Sequence, residues 1–152
     1  MEYIIREKEL KDCEAWVNVN ISSWNDSLCG VVSDKLLEKI SSNRAERIEK
    51  EKENFKQDDY HYVLEENEKV VGILKIKKSD RTDFTDCGEV QVLYLLSSVK
   101  GKGYGKALIN AAFSKLREKG FNKVIIGCLD GNPSNEFYKH LGGKFIRQED
   151  WN

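Results

Sequence analysis

Residues 93–108 read LYLLSSVKGKGYGKAL and join the end of an apolar strand to the start of an amphipathic helix. Alternating glycines allow successive backbone N–H groups to face one point, and the N-terminus of the following helix adds partial positive charge. Three lysines around the turn add full positive charges. The turn therefore predicts an anion site, for which a pyrophosphate is the natural occupant, built from Gly101, Gly103, Gly105, Lys100, Lys102 and Lys106.

The spacing of these glycines excludes the two common nucleotide-binding loops. A P-loop requires Ser or Thr directly after its lysine, whereas Lys106 is followed by Ala107. A dinucleotide fingerprint has the pattern GxGxxG, and Lys106 occupies the place of its third glycine. The sequence predicts neither an ATP site of the P-loop type nor an NAD site.

On both sides of the turn the chain alternates between strand and helix patterns. Segment 89–96, EVQVLYLL, predicts a buried central strand. After the turn we expect a helix over about residues 104–119 that ends at Gly120. Beyond it the pattern predicts a strand at 123–129, a short helix at 133–141 and a last strand at 144–147.

The first half of the chain carries two helices and a hairpin. A short strand at 3–5 precedes a helix that Asp12 is expected to cap, and Ser33 or Asp34 is expected to cap the next. Residues 44–53 predict a solvated charged helix, and 60–64 and 70–76 a β-hairpin. The resulting order, β-α-α-β-β-β-α-β-α-β, predicts an α/β (α+β) fold with helices packed on a mixed sheet.

Length and composition exclude several classes of function. A chain of 152 residues without a linker predicts a single domain over 1–152. Its 25 Lys and Arg nearly balance 26 Asp and Glu, which argues against nucleic acid as a partner. No apolar run reaches the roughly 18 residues of a membrane span, and the N-terminus does not resemble a signal peptide. We therefore expect a cytoplasmic protein that contacts no membrane.

The four cysteines and two histidines do not predict a metal site. Cys13, Cys29, Cys87 and Cys128 are widely separated, and neither a CxxC pair nor an HxxxH pair occurs. Both spacings are typical of zinc ligands. We expect no metal and four reduced thiols.

Two motifs resemble those of the GNAT superfamily of N-acetyltransferases. Residues 100–105, KGKGYG, resemble the (Gln/Arg)-x-x-Gly-x-(Gly/Ala) signature, in which Tyr104 is one of the variable positions. Residues 132–143, NPSNEFYKHLGG, resemble the Asn-Pro-(Ala/Ser)-x-x-Phe-Tyr-x-x-Leu-Gly-Gly variant of the C-terminal motif. The chain departs from the family at Lys100, where Gln or Arg is usual, and at Ser97, where Pro is common.

The resemblance implies a fold and a cosubstrate. The fold is a largely antiparallel mixed sheet with a central splayed parallel pair and helices on both faces. Acetyl-CoA would bind with its pyrophosphate in the glycine turn, and no metal is required. Residues implied to contact it outside the turn are Leu93, Tyr94 and Leu95 along the pantetheine arm, and Asn132 and Asn135 in the second motif.

The reaction needs an unprotonated amine and a proton for the departing thiolate. A lysine-like amine has a reference pKa of about 10.4, so at neutral pH it needs a general base. Glu89 is the candidate: it precedes Leu95 by six residues, so strand alternation predicts that both share one face, and the resemblance supports this role. Glu136 and a water chain are alternatives. Tyr138 matches the family tyrosine that can protonate the thiolate, and a backbone N–H near Leu95 would stabilise the oxyanion.

The sequence leaves the acceptor open. The resemblance places the N-terminal helices along the acceptor pocket, so Trp24 and Asp26 become candidate substrate contacts, with Asp26 suited to a cationic amine. A small-molecule amine and a peptide amine both fit. A non-catalytic CoA-binding module of the same fold is the alternative function, and a homodimer is left open because family members often dimerise.

Overall fold

A sheet of five strands forms the centre of the computed structural model, which describes residues 2–128, 132 and 134–143. The strands lie side by side in chain order. Each runs antiparallel to its neighbour except the last two, which are parallel. They are β1 (Tyr3–Glu7), β2 (His61–Glu66), β3 (Lys69–Lys78), β4 (Gly88–Leu95) and β5 (Val124–Ile126).

Helices cover both faces of this sheet, so the expected fold class is confirmed. Short 3₁₀ turns at Leu10–Asp12 and Ser97–Val99 lead into α1 and towards α4. Within the described ranges, every helix falls short of the length and apolar character that crossing a bilayer requires. The helices are α1 (Cys13–Leu28), α2 (Asp34–Ser42), α3 (Arg44–Glu53), α4 (Tyr104–Glu118) and α5 (Ser134–His140).

The second half of the chain differs from expectation in its details. The strand predicted at 123–129 ends at Ile126, so only three residues pair with β4. The strand predicted at 144–147 lies outside the described residues. The shortness of β5 matters for function because β4 extends well beyond it.

The main hydrophobic core lies between the sheet and α4. Leucines at 64, 74, 108 and 116 are fully buried there. Leu108 and Leu116 form part of the apolar face of α4, and their burial against the leucines of β2 and β3 stabilises this helix on the sheet. A smaller core on the opposite face packs α1 against β2 and β3 through Trp16, Val19, Val63 and Ile73.

The helix starts show one confirmed cap and one correction. The Leu36 N–H donates to Ser33 Oγ at 3.2 Å, so Ser33 caps α2 as predicted. The predicted cap at Asp12 is wrong, because its side chain makes no capping bond to α1. Its carboxylate instead accepts two hydrogen bonds from Arg6, at 2.8 and 3.0 Å, and one from the Glu9 N–H at 2.7 Å.

A β-bulge in β4 changes which side chains share a face. Lys75 pairs with Val92 and Ile76 pairs with Val90, so Gln91 is the extra residue between two consecutive pairs. Such an insertion shifts the alternation of side chains by one position. Consequently Val90 and Leu93 both pack on the α4 side, although they are three residues apart.

Candidate active site

The parallel strands β4 and β5 separate at one end and open a gap. Their described pairing stops at Val90 and Ile126, whereas β4 continues to Leu95. The Leu96 N–H donates to the Val71 carbonyl on β3 at 2.9 Å. Since main-chain groups alternate sides along a strand, those of Leu93 and Leu95 point away from β3, towards the gap. The expected splayed pair therefore presents main-chain donors and acceptors to a bound chain.

One wall of the gap is fixed by a hydrogen bond from α1. Ser23 is 3% exposed, and its Oγ donates to the Leu95 carbonyl at 3.0 Å. Sequence reasoning missed Ser23. The signal was a small polar residue seven positions after Trp16, on the face of α1 that packs against the sheet.

Three ionisable side chains meet at the open end of the gap. Burial raises the pKa of Tyr94, while a hydrogen bond with the Trp24 side chain lowers it. Burial also raises the pKa of Tyr138, and repulsion from the ionised forms of Cys128 and Tyr94 raises it further. The Tyr138 hydroxyl therefore stays protonated at neutral pH and can act as a proton donor.

Cys128 is a neutral thiol in this environment. Its side chain is half-buried, and burial raises its pKa. Because the thiolate is the nucleophilic form of cysteine, a raised pKa lowers the nucleophilicity of this thiol at neutral pH. In the part of the chain that the structure describes, no three Cys, His, Asp or Glu side chains gather as metal ligands.

The glycine turn leads directly into α4. Gly101 and Gly103 have φ values of +87° and +84°, a conformation that residues with a Cβ rarely adopt. The Ala107 N–H donates to the Gly103 carbonyl at 3.1 Å, so the N–H groups before it have no partner within the helix. A Cβ added to Gly101 or Gly103 would meet no described atom within 4 Å. The turn is therefore an open cradle of N–H groups that fits a pyrophosphate.

The side chains of the turn are not all available to a ligand. Tyr104 is 2% exposed, packs against Tyr3 at 4.9 Å and donates a hydrogen bond to Glu66. Lys102 also binds Glu66, at 3.1 Å. Tyr104 can therefore contribute only its backbone N–H to the cradle, and Lys102 is held to one side.

The other two lysines remain at the solvent side of the turn. Both Lys100 and Lys106 are exposed. The Lys100 Nζ lies 3.5 Å from Ser27 Oγ at the end of α1, so this side chain bridges the turn and the first helix. These two ammonium groups are the ones placed to meet an anion.

Asn132 and Asn135 organise the start of α5. The Asn132 Oδ1 accepts from the Ser134 N–H at 2.9 Å, which is the helix-start role that its position before Pro133 also allows. The Asn135 Nδ2 donates to the Asn132 carbonyl at 3.0 Å. These two hydrogen bonds therefore stabilise the start of the helix that carries Tyr138.

Glu89 lies on the α1 side of the sheet, and the predicted shared face with Leu95 is wrong. Glu89 pairs with Lys77, whereas Leu95 packs on the α4 side, because the bulge at Gln91 reverses the alternation between them. The Glu89 Oε1 is buried, and no described group within reach donates a hydrogen bond to it. A buried carboxylate oxygen without a partner is rare in proteins, so this atom needs a water, a ligand or a substrate group to satisfy it.

A cleft on the α1 side of the sheet shares Tyr94 with the group of side chains at the open end of the gap. Its volume is ≈ 490 Å³, and Trp24 and Tyr94 form its wall nearest the gap. Asp26, the other predicted substrate contact, is exposed on α1 and does not line the cleft. Other lining residues that matter below are Asn20, Lys39, Arg47, Lys75 and Gln91.

Comparison with known proteins identifies the family. A model of the acetyltransferase (GNAT) family matches residues 22–142. The chain belongs to the GNAT family. An uncharacterized N-acetyltransferase of Bacillus subtilis strain 168, YuaI, is 20% identical to this GNAT chain over 149 residues, covering 97% of this chain and 83% of YuaI.

Solved structures of GNAT proteins share its fold. The PaiA N-acetyltransferase of Thermoplasma acidophilum, solved in complex with coenzyme A, gives a TM-score of 0.77 at 20% identity, covering 99% of this chain and 94% of that one. A GCN5-related N-acetyltransferase of Ralstonia eutropha JMP134 gives 0.74 at 14% identity, covering 99% and 98%. The family resemblance inferred from the two motifs is therefore confirmed.

Proposed function

We propose that this GNAT protein transfers an acetyl group from acetyl-CoA to a primary amine by direct attack, without a covalent acyl-enzyme. The observation that carries this proposal is the gap between β4 and β5, which opens beside the glycine cradle. The coenzyme A bound to the Thermoplasma relative supports the choice of cosubstrate. What the cosubstrate supplies is an activated acetyl thioester.

The chain can hold this cosubstrate along one continuous path. The N–H groups at the start of α4, with Lys100 and Lys106, are suited to the pyrophosphate. The main-chain groups of Leu93 and the Leu95 N–H are suited to the amide groups of the pantetheine arm, whereas the Leu95 carbonyl already accepts from Ser23. Because the gap closes at Val90, the thioester end would lie deep in the gap rather than at its mouth.

Glu89 is placed at the closed end of that path. It lies one residue before Val90, whose pairing with Ile126 closes the gap. Its carboxylate, directly or through water, can take the proton that an ammonium acceptor must lose before attack. A main-chain N–H of β4 that points into the gap can stabilise the negative charge developing on the thioester oxygen.

Tyr138 can supply the proton that the departing thiolate needs. Its raised pKa keeps the hydroxyl protonated, and a hydroxyl in this state can donate to a departing thiolate. Cys128 and Tyr94 line the same region without carrying a charge at neutral pH, since the pKa of each is raised.

Thermal denaturation with candidate ligands tests the cosubstrate. A ligand at 100 times its Kd stabilises a protein by about 2.7 kcal/mol, which corresponds here to a Tm increase of about 5–11 °C. We expect this shift with acetyl-CoA and CoA, and none with ATP or NADPH. Absence of a shift with acetyl-CoA would overturn the cosubstrate.

Thiol release from acetyl-CoA tests turnover. Amine-dependent release with a panel of primary amines supports the transferase. Acetyl-CoA binding without release for any amine would favour the non-catalytic module instead.

A further inference from the structure

The cleft beside the gap has a strongly one-sided charge. Lys39 on α2, Arg47 on α3 and Lys75 on β3 line it from three different elements, and none of the described residues that line it is acidic. The chain as a whole is not basic, since its acidic residues outnumber Lys and Arg by one. The positive charge is therefore a local property of this cleft.

These three cations also lack internal neutralisation. Among the described residues, none of them has a carboxylate within ion-pairing distance, although Lys50 on α3 and Lys77 on β3 each have one. The Arg47 Nη2 donates to Asn20 Oδ1 at 2.8 Å, which holds the guanidinium at the cleft without cancelling its charge. Lys75 is half-buried, so its charge is only partly screened by water.

The nearest acidic groups do not reverse this pattern. Glu38 and Lys35 line a neighbouring groove along α2, which shares Leu36 and Lys39 with the cleft, but neither Glu38 nor Lys35 lines the cleft itself. Glu89 faces the same side of the sheet as the cleft but does not line it. Asp26, which was expected to attract a cation, lies outside it.

We infer that the acceptor is an amine that carries an anionic group, a carboxylate or a phosphate, at its other end. This inference rests on the proposed function, because it takes the cleft as the place from which the acceptor reaches the gap. Lys75 pairs with Val92, and Val90, where the gap closes, lies two residues before Val92 on the same strand. At about 3.3 Å per residue the anionic end and the amine would lie roughly 7 Å apart. A spacer of about five carbon atoms covers this distance.

Four acceptors of matched length test the charge preference. The probes are 6-aminohexanoate, 5-aminopentyl phosphate, hexylamine and 1,6-diaminohexane, each compared by kcat/KM for thiol release from acetyl-CoA. One unit charge at about 4 Å in water changes binding roughly fivefold. We expect the carboxylate or the phosphate to exceed hexylamine by about fivefold or more and the diamine to be the poorest. Whichever of 6-aminohexanoate and 5-aminopentyl phosphate has the higher kcat/KM shows whether the preferred acceptor carries a carboxylate or a phosphate.

Two lysines of α2 provide a matched pair of variants. Lys39→Glu reverses a charge that lines the cleft, whereas Lys35→Glu reverses one that lines only the neighbouring groove of the same helix. Both side chains are exposed, so both variants are expected to fold. Lys39→Glu should lower the ratio of kcat/KM for 6-aminohexanoate to that for 1,6-diaminohexane about tenfold, and Lys35→Glu should leave this ratio within twofold.

The outcomes separate this inference from the proposed function. Turnover in which the diamine equals or exceeds the anionic acceptors overturns the inference and leaves the transferase intact. If no amine is turned over, the transferase fails, and calorimetric titration of the CoA-saturated protein with 6-aminohexanoate and 1,6-diaminohexane decides the inference. Tighter binding of the first, weakened by Lys39→Glu alone, supports it, and equal binding or none overturns it.

Discussion

Glu89 combines two properties that a structural carboxylate does not usually combine. One of its oxygens is buried without a described donor, and the residue lies beside the pair that closes the gap. The alternative base, Glu136, is exposed on α5 and lies 3.5 Å from the Lys139 ammonium. We therefore propose Glu89 rather than Glu136 as the base, because of its position beside the closed end of the gap.

Replacement of Glu89 by Gln should reduce activity most at neutral pH. We expect kcat/KM at pH 7 to fall about 100-fold, the lower range for loss of a general base. The deficit should shrink towards pH 9.5, because an amine with a reference pKa of about 10.4 then loses its proton increasingly without help. Thiol-release assays between pH 7 and 9.5 measure this ratio. Glu136→Gln is the matched control, and a ratio independent of pH would contradict the role of base.

Tyr138→Phe should affect catalysis without affecting binding. The substitution removes only the hydroxyl, and the ring can keep its contact with Phe137 at 5.4 Å between centroids. We expect kcat to fall about 100-fold, as for loss of a general acid, while the Kd for CoA from calorimetry changes less than twofold. Tyr60→Phe, at an exposed tyrosine that directly precedes β2, should change neither value. A large increase in the Kd would instead assign Tyr138 to cosubstrate binding.

At the scale of elements, the strand–turn–helix unit around the glycines was predictable in full. The apolar run of β4, the alternating glycines and the inner face of α4 are all local patterns. The predicted bounds of β4 and α4 differ from the observed bounds by at most one residue at each end. The anion cradle follows from the same local features. The arrangement of the side chains around the cradle could not be predicted in this way, because the burial of Tyr104 depends on Tyr3 and Glu66, which are distant in sequence.

Long-range pairing also explains the other differences. The bulge at Gln91 exists only in the register between β3 and β4, so alternation counted along β4 alone placed Glu89 on the wrong face. The three cations of the cleft come from α2, α3 and β3, and nothing in their separate segments indicates that they converge. Periodicity predicts which face a residue occupies within an element. Which residues come together in a site depends on how the elements pair and pack, and this long-range packing cannot be predicted from periodicity.

The glycine at the start of α4 offers a test of the cradle. Gly103→Ala forces a Cβ into a left-handed conformation, which costs about 1–2 kcal/mol and should lower the Tm by about 2–8 °C. Because the turn must relax, its N–H groups should lose their common direction, and the Kd for CoA should increase at least fivefold.

Gly120→Ala is the matched control for this variant. Gly120 follows the other end of α4, has a φ of +97° and is equally open to a Cβ. We expect a similar decrease in Tm with an unchanged Kd for CoA, both measured by thermal denaturation and calorimetry. Equal loss of CoA affinity in both variants would show that the effect is one of stability alone.

At the scale of the whole molecule, the two faces of the sheet differ in what they hold. The α4 side holds the larger apolar core, while the α1 side holds the cleft and Glu89. At the far end from the gap, Arg6 on β1 joins three parts of the chain through ion pairs with Asp12, Glu65 and Glu9. This network fixes the start of α1 to the sheet, so it can be disturbed without contact with the proposed site.

The Arg6–Asp12 pair should make the free energy of unfolding depend on pH. Burial by itself raises the pKa of Asp12, but hydrogen bonds from Arg6 and from the Glu9 N–H outweigh it and lower the pKa. A carboxyl whose pKa is lower in the folded state stabilises the protein above its unfolded pKa, about 3.9, and loses that contribution as the pH falls further. Asp12 is 3% exposed, so its charged hydrogen bonds are little screened.

Urea denaturation of Asp12→Asn at several pH values measures this contribution. At pH 7 the free energy of unfolding should be about 1.5–3 kcal/mol lower than in the unmodified protein, the usual worth of a hydrogen bond to a charged group. The difference should shrink below about pH 4, because the unmodified protein then loses the same interaction. Asp80→Asn is the control: the pKa of Asp80 is also lowered, by Lys77, but this exposed pair should contribute little to stability. A difference for Asp12→Asn that stays constant from pH 7 to pH 3 would mean that the loss comes from packing rather than from charge, and the Arg6 network would then not be the electrostatic anchor of α1.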